Sequence, residues 1–291
     1  MSVTGQFLFQ TYQDWGFRMR FLKKVITTAL AAAGYRLNRL SEPRVSFENF
    51  ANLAQAYEQR INESTEQASS LPANELRPKL LSRLLGTPPS EAYFIIQALA
   101  QCRNLDGDVC EFGVAQGETS AVIANEIAKS TTKNLHLFDS FEGLPKPTEK
   151  DQLKDDIYAL GSLDAYTGLM SYPEDMVRAR MEAIAFPAQR YVVHKGFIEQ
   201  LIHNDKNLPD AVCFAYVDFD FYEPIKIALE YLHKVMPSGA MIVVDDYNFF
   251  STGAKTAVDE FVAEQNSKGI TYECLVPDSR YGYFAVLTKR R

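Results

Sequence analysis

Residues 211–248 constrain this chain more than any other stretch, because two short apolar runs flank an amphipathic helix and each run ends in carboxylates. The first run, AVCFAYV at 211–217, carries the β-branched and aromatic residues of a buried parallel strand and stops at Asp218, Phe219 and Asp220. Residues 224–235 then place Ile225, Ala228, Leu229 and Leu232 at helical spacing, until Pro237, Ser238 and Gly239 break the helix. The second run, MIVV at 241–244, ends at Asp245 and Asp246. Such a strand–helix–strand unit predicts an open α/β sheet, whose ligands bind beyond the carboxyl ends of the strands. Asp218, Asp245 and Asp246 can therefore converge on one point. Clustered carboxylates repel, and they ionise together only beside a cation or with raised pKa values. A hard divalent cation such as Mg²⁺, which takes oxygen ligands, resolves that conflict. The plainer reading, an Asp capping the next helix or turn, accounts for one such residue more readily than for the set.

A second unit begins at Asp108. Residues 108–112 read as a strand, 113–117 (GVAQG) as a glycine turn and 118–129 as a helix. Gly113 and Gly117 let the backbone pass close to a ligand at a helix N-terminus. The turn lacks the G-x-G-x-x-G spacing, since Ala115 and Glu118 occupy the other positions, and an acid there repels a pyrophosphate. A cationic ligand without phosphates suits it better; mere close packing is the alternative. The next strand, 135–138, closes on Asp139, a position from which an acid accepts hydrogen bonds from ribose hydroxyls. Residues 191–194 form a third strand that turns through Lys195, Gly196 and Phe197. Phe197 can stack on an adenine or fill core, and His194, alone at a strand end, reads as structural. Helices are expected over 90–102, with Ser90 as N-cap, and over 254–265, and a hairpin over 272–276 and 283–288. Between them, residues 143–190 are longer than a strand–helix connection needs and predict a lid-like cover, with a helix over 174–184; a surface excursion is the alternative.

The 291 residues suit one α/β domain (90–291) behind a helical extension (1–89), with helices over 50–61 and 78–85. A net charge of −7 argues against a nucleic-acid partner. The four cysteines, Cys102, Cys110, Cys213 and Cys274, form no CxxC pair and read as buried free thiols in a reducing, cytoplasmic setting. The first forty residues are the exception in charge: six Lys and Arg against Asp14 give +5, which leaves −12 for the rest. Residues 17–33 make a basic amphipathic helix whose apolar core, nine residues from Val25, is too short for a span, and the eighteen residues ahead of Met19 argue against a secretion signal. It can lie on an anionic membrane or pack against its own domain or a second subunit.

Taken in order, these motifs resemble the class I S-adenosylmethionine-dependent methyltransferases, and within them the macrocin O-methyltransferase (TylF-like) family, whose members methylate sugar hydroxyls of macrolides and related natural products. The likeness rests on EFGVAQG (111–117), DSFEGLP (139–145), HKGF (194–197), DFDFYEP (218–224), VDDY (244–247) and AVDEF (257–261), and covers residues 90–291. It implies a Rossmann-like α/β fold: a seven-stranded, mostly parallel sheet with helices on both faces and a C-terminal β-hairpin. It also implies methyl transfer from S-adenosylmethionine with Mg²⁺. Glu111, Gly113 and Gly117 would border the methionine end of the cofactor and Asp139 its ribose. Val114, Thr119, Ser140, Gly196, Phe197 and Asp218 would complete that set. Asp218, Asp245 and Asp246 would hold the metal.

In the wider catechol-type enzymes a lysine three residues past the first metal Asp is the base. Phe221 stands there in this chain, so Asp218 or Asp220 becomes the expected catalytic base. The histidine-containing segment that follows the DDY string in the family is also missing from residues 248–255. The acceptor would be a small-molecule hydroxyl on a sugar, phenol or glycolipid. Two rival readings are a nicotinamide oxidoreductase, against which the missing third glycine argues, and a non-catalytic module that has kept the fold.

The apolar face of residues 17–33 must be buried somewhere, since exposing it costs about 25 cal/mol per Å². Its alanines and threonines make that face small, which favours a partner subunit, hence a homo-oligomer, over a membrane. Deleting residues 1–40 should shift the oligomeric state in sedimentation without changing recovery on anionic vesicles. Vesicle binding by the full-length protein alone, at low salt, would reverse that choice.

Overall fold

The structure, a computed structural model, describes residues 74–290 apart from residue 131. The basic amphipathic helix over 17–33, its membrane or subunit contact and the helix over 50–61 lie outside the described residues. Within them, seven helices and seven strands alternate. They are α1 (Arg77–Leu81), α2 (Pro89–Cys102), β1 (Asp108–Phe112), α3 (Glu118–Ser130), β2 (Leu135–Asp139), α4 (Glu174–Ala183), β3 (Tyr191–Lys195) and α5 (Ile198–Asn204). There follow β4 (Val212–Val217), α6 (Tyr222–Val235), β5 (Met241–Val244), α7 (Gly253–Ser267), β6 (Tyr272–Leu275) and β7 (Ala285–Lys289).

The strands form one sheet in the order β3-β2-β1-β4-β5-β7-β6. Five are parallel, and the β6–β7 hairpin joins antiparallel through β7 against β5. The order reverses between β1 and β4, so the crevice of an open α/β sheet opens above their ends. Helices cover both faces. On one, Ile95 and Leu99 of α2 and Ala121 and Ile123 of α3 pack on Val109, Leu135 and Phe214. On the other, Ile225, Leu229 and Leu232 of α6 and Val258 of α7 pack on Cys110, Phe112 and Ala215. Full burial of each Leu or Ile contributes about 1.5–3 kcal/mol.

Several local expectations shift. Ser90 does not cap α2: Pro89 opens the helix behind an extended Pro88, and the Ser90 hydroxyl donates to the Tyr281 carbonyl instead. Proline at the first helical position loses only an amide that would be unpaired anyway. The helix over 78–85 shrinks to α1, which tightens into turns after Leu81 on approach to Gly86 (φ +92°) and Pro88-Pro89. The short α5 was not expected; it follows Phe197 directly, with the 200 and 201 amides bonded back to the Phe197 carbonyl. Cys102, Cys110 and Cys213 are buried thiols, whereas Cys274 is exposed, because β6 is an edge strand with only Tyr272 turned inward.

The insertion after β2 packs over the carboxyl edge of the sheet. Leu144, Leu163 and Tyr166 share a small core with Phe221 and Phe250, and the Lys154 amide donates to the Phe250 carbonyl. Asp151 from this segment accepts from the Tyr222 amide at 2.7 Å, capping α6, while its other oxygen accepts from the Thr148 amide and hydroxyl.

Four polar groups cross the β1–β2–β3 side of the sheet in a line. Asp108 Oδ2 lies 3.3 Å from His136 Nε2, His136 Nδ1 lies 2.9 Å from His194 Nε2, and His194 Nδ1 lies 2.6 Å from Asp205 Oδ2. The structural reading of His194 thus gains a partner set, and Phe138 stacks on its ring at 4.3 Å. Burial holds His194 below the usual imidazole range, against the pull of Asp205 and with the help of His136. A depressed folded pKa makes the unfolded chain the better proton acceptor, so this contribution to stability is present above about pH 6.5 and is lost as pH falls. Asp205, lowered by His194 and the Asn207 amide against burial, adds to the loss at more acid pH. The melting temperature should fall as pH drops from about 6.5, and His194→Gln should flatten that slope. An unchanged slope in the variant would remove His194 from the account.

Candidate active site

The crevice is built where β1 and β4 end side by side. Gly113 leaves β1 with φ +86°, and a Cβ there would sit 1.8 Å from the Asp218 carbonyl oxygen. Only glycine satisfies both the left-handed backbone and that approach. Asp139 fixes the turn that follows: Oδ2 accepts from the Val114 and Ala115 amides at 2.7 and 2.9 Å, and Oδ1 from the Phe141 amide at 2.6 Å. These three amides already use most of what a carboxylate can accept.

Of the residues expected at the cofactor, Gly113, Asp139, Ser140, Gly196, Phe197 and Asp218 line one cleft. Four others stand behind it. Val114 is in the core, Gly117 packs on Val177 and Arg180 of α4, and Thr119 bonds the Thr87 hydroxyl at 2.7 Å. Glu111 is 1 % exposed, and neither of its oxygens makes a hydrogen bond. Burial pushes the Glu111 carboxyl up to about 8, with Asp139 and Glu118 adding. Glu118, read as repelling a pyrophosphate, is paired by Arg180, whose guanidinium also donates to the Gln116 carbonyl.

The carboxylates expected to hold a metal enter from two strand ends. Ligand atoms of Asp218, Asp220 and Asp246 all lie within 4.8 Å of one another. Asp245 stands beside them with both oxygens engaged: Tyr216 donates to Oδ2 at 2.8 Å, and the Asp246 amide to Oδ1 at 2.7 Å. Asp220 and Asp246 hold φ values of +64° and +56°, a sparsely occupied region for residues with a side chain. Burial, then mutual repulsion, raises Asp218, Asp220 and Asp246 well above the ordinary carboxylate range. Glu91, in the first turn of α2, is fully buried beside Asp245 and is raised by burial first and by Asp245 next.

The outer half of the cleft is apolar, walled by Leu144, Pro145, Ile157, Tyr158 and Met170 of the insertion and by Phe249 and Phe250. No Lys or Arg of the described residues lines it. The expected cover over 143–190 supplies most of this wall, while sequence reasoning missed Phe249, Phe250, Glu91 and Tyr216. The tyrosine reads as one more apolar strand residue, and the glutamate as an ordinary first-turn acid.

A sheet of this order, with a glycine turn after its first strand and acids at the tips of the fourth and fifth, is the fold of the S-adenosylmethionine-dependent methyltransferases. The O-methyltransferase NovP aligns over 85 % of this chain and 100 % of its own, at 18 % identity and a TM-score of 0.59. CalS11, a calicheamicin methyltransferase, aligns over 87 % and 96 %, at 20 % identity and 0.55. TomG from Streptomyces achromogenes, an O-methyltransferase involved in tomaymycin synthesis and solved with S-adenosylmethionine, aligns over 85 % and 100 %, at 13 % and 0.50. No curated protein sequence matches the chain. Residues 19–276 match the Macrocin-O-methyltransferase (TylF) family, and the chain belongs to it. It is an O-methyltransferase, which sets aside the nicotinamide reading.

The cofactor brings two positive groups, an ammonium and a sulfonium, and the cleft offers acids in return. The unpaired Glu111 carboxyl is the observation that fits best, since a buried polar group without a partner is costly. With its pKa near 8, Glu111 would have to lose a proton if it were to pair with a cation from behind the cleft. Affinity for S-adenosylhomocysteine, which keeps the ammonium, should therefore rise from pH 6 to 8, with proton release seen by calorimetry in two buffers. In Glu111→Gln the release should vanish and the affinity should fall about tenfold, or about 1.4 kcal/mol. Release unchanged in the variant would assign it elsewhere.

Proposed function

We propose that this protein is a Mg²⁺-dependent O-methyltransferase that methylates a sugar hydroxyl on a natural product, working in a reducing, cytoplasmic setting. The observation that carries the metal half of the reading is the convergence of Asp218, Asp220 and Asp246, with Asp245 adjacent, at the edge of the cofactor cleft. Such a set suits a hard cation, which relieves the repulsion that raises the pKa values. Asp218 and Asp246, common to this converging set and to the set expected from the sequence, would hold it, with Asp245 beside them.

Family membership supports a sugar acceptor, and the apolar wall that includes Tyr158, Phe249 and Phe250 leaves room for one beside the acids. S-adenosylmethionine supplies an electrophilic methyl group, which the deprotonated hydroxyl oxygen takes as the carbon–sulfur bond breaks. A divalent cation supplies a Lewis acid that makes the hydroxyl more acidic. Gly113, Ala115 and Asp139 seat the cofactor, and Phe197 flanks its adenine. Asp220, which lines the cleft and is not engaged by Tyr216, takes the hydroxyl proton; a positioned base of this kind is worth about 10²–10⁴ in rate. Leu144, Ile157 and Tyr158 give the acceptor an apolar wall.

The test is methyl transfer from radiolabelled S-adenosylmethionine to a panel of glycosides, phenols and glycolipids. Activity should disappear with EDTA and return with Mg²⁺. Asp218→Asn and Asp246→Asn should abolish turnover while binding S-adenosylhomocysteine nearly as the wild type does, and Asp220→Asn should lower kcat about a hundredfold or more. Full turnover in metal-free buffer would return the carboxylates to a structural role.

A further inference from the structure

Tyr216 lies two residues before Asp218 on β4, and none of its surface is exposed. Its hydroxyl is 2.8 Å from Asp245 Oδ2, 3.4 Å from Asp218 Oδ2 and 3.3 Å from the Thr87 hydroxyl. Thr87, 4 % exposed, is in turn 2.7 Å from the hydroxyl of Thr119 in the first turn of α3. A phenol has one proton to donate, and the shorter contact assigns it to Asp245. Thr87 can then donate to Tyr216 and Thr119 to Thr87, so the bonds run in one direction toward the carboxylate. With the Asp246 amide on its other oxygen, Asp245 has no freedom to rotate without breaking a bond.

A buried strand tyrosine has one bland use, to fill the core. Phenylalanine does that equally well and spares the cost of burying a hydroxyl. The hydroxyl needs a reason, and the carboxylates supply it. We propose that Tyr216 is the positioning residue of the acid cluster: it orients Asp245, spaces it from Asp218, and thereby sets the affinity for a divalent cation, with Thr87 and Thr119 holding Tyr216 in turn. This rests on the cation reading above. Hydrogen bonds behind ligating groups are typically worth about 10–100-fold in metal affinity.

The test uses Mn²⁺ as probe, titrated into the full-length protein with free Mn²⁺ read by electron paramagnetic resonance, and S-adenosylhomocysteine binding measured in parallel by calorimetry. Tyr216→Phe should weaken Mn²⁺ binding about tenfold or more and leave S-adenosylhomocysteine affinity within about twofold. Thr87→Val should weaken Mn²⁺ binding by a smaller factor, and Thr87→Ser should restore it. Mn²⁺ affinity in Tyr216→Phe equal to wild type overturns the proposal. If Tyr216→Phe also loses S-adenosylhomocysteine, the Thr87 pair decides, and unchanged Mn²⁺ affinity in Thr87→Val overturns it. A wild type that binds S-adenosylhomocysteine but no Mn²⁺ ends the cation reading, and this proposal with it.

Discussion

The close approach of β1 and β4 at Gly113 is the contact on which the remaining geometry depends. A backbone that passes within a missing Cβ of the Asp218 carbonyl brings the glycine turn and the first acid of the cluster to the same edge. Asp139 then clamps the turn through the Val114 and Ala115 amides, which ties β2 to the same point. The parallel register carries Asp245 and Asp246 alongside, since Val217 of β4 pairs with Val244 of β5 and the next residues of both strands are acids. One steric fact and one register place all four aspartates.

That edge was legible in the sequence because both signals are local. Alternation between short apolar runs and amphipathic helices fixes the strands, and an acid right after a buried parallel strand has only the carboxyl edge to occupy. What stayed hidden depends on distant partners. Glu91 belongs to α2 and meets Asp245 only through the fold, and Tyr216 is indistinguishable in sequence from the apolar residues around it. Asp151 capping α6 across the insertion has the same character: local propensity carries no trace of a cap supplied by a remote loop. The exposed Cys274 shows the converse error. An apolar strand pattern does not say whether the strand is central or at the edge, and β6 is at the edge.

The insertion is the second lesson in tertiary context. Its acids and tyrosines leave a solvated excursion open beside the expected cover, and Leu163 and Tyr166, buried against Phe221 and Phe250, favour the cover. Aromatic residues that cover the edge of this sheet are held there by the sheet's own loops, so the cover and the carboxyl edge share a core.

Charge is the remaining constraint, and it links stability to function. Glu91, Glu111, Asp218, Asp220, Asp245 and Asp246 crowd the carboxyl edge, and each is raised by burial. No cation among the described residues lines the cleft, while Arg180, the cation beside the glycine turn, is committed to Glu118 and the Gln116 carbonyl. A fold selected for stability alone would replace such acids with apolar residues of similar volume, because unpaired buried charge is among the costliest features of an interior. Their retention makes sense when the missing positive charge arrives with the ligands. On the proposed reading, sulfonium, ammonium and divalent cation together supply it, so the unliganded protein stores in mutual repulsion part of the affinity with which it holds them.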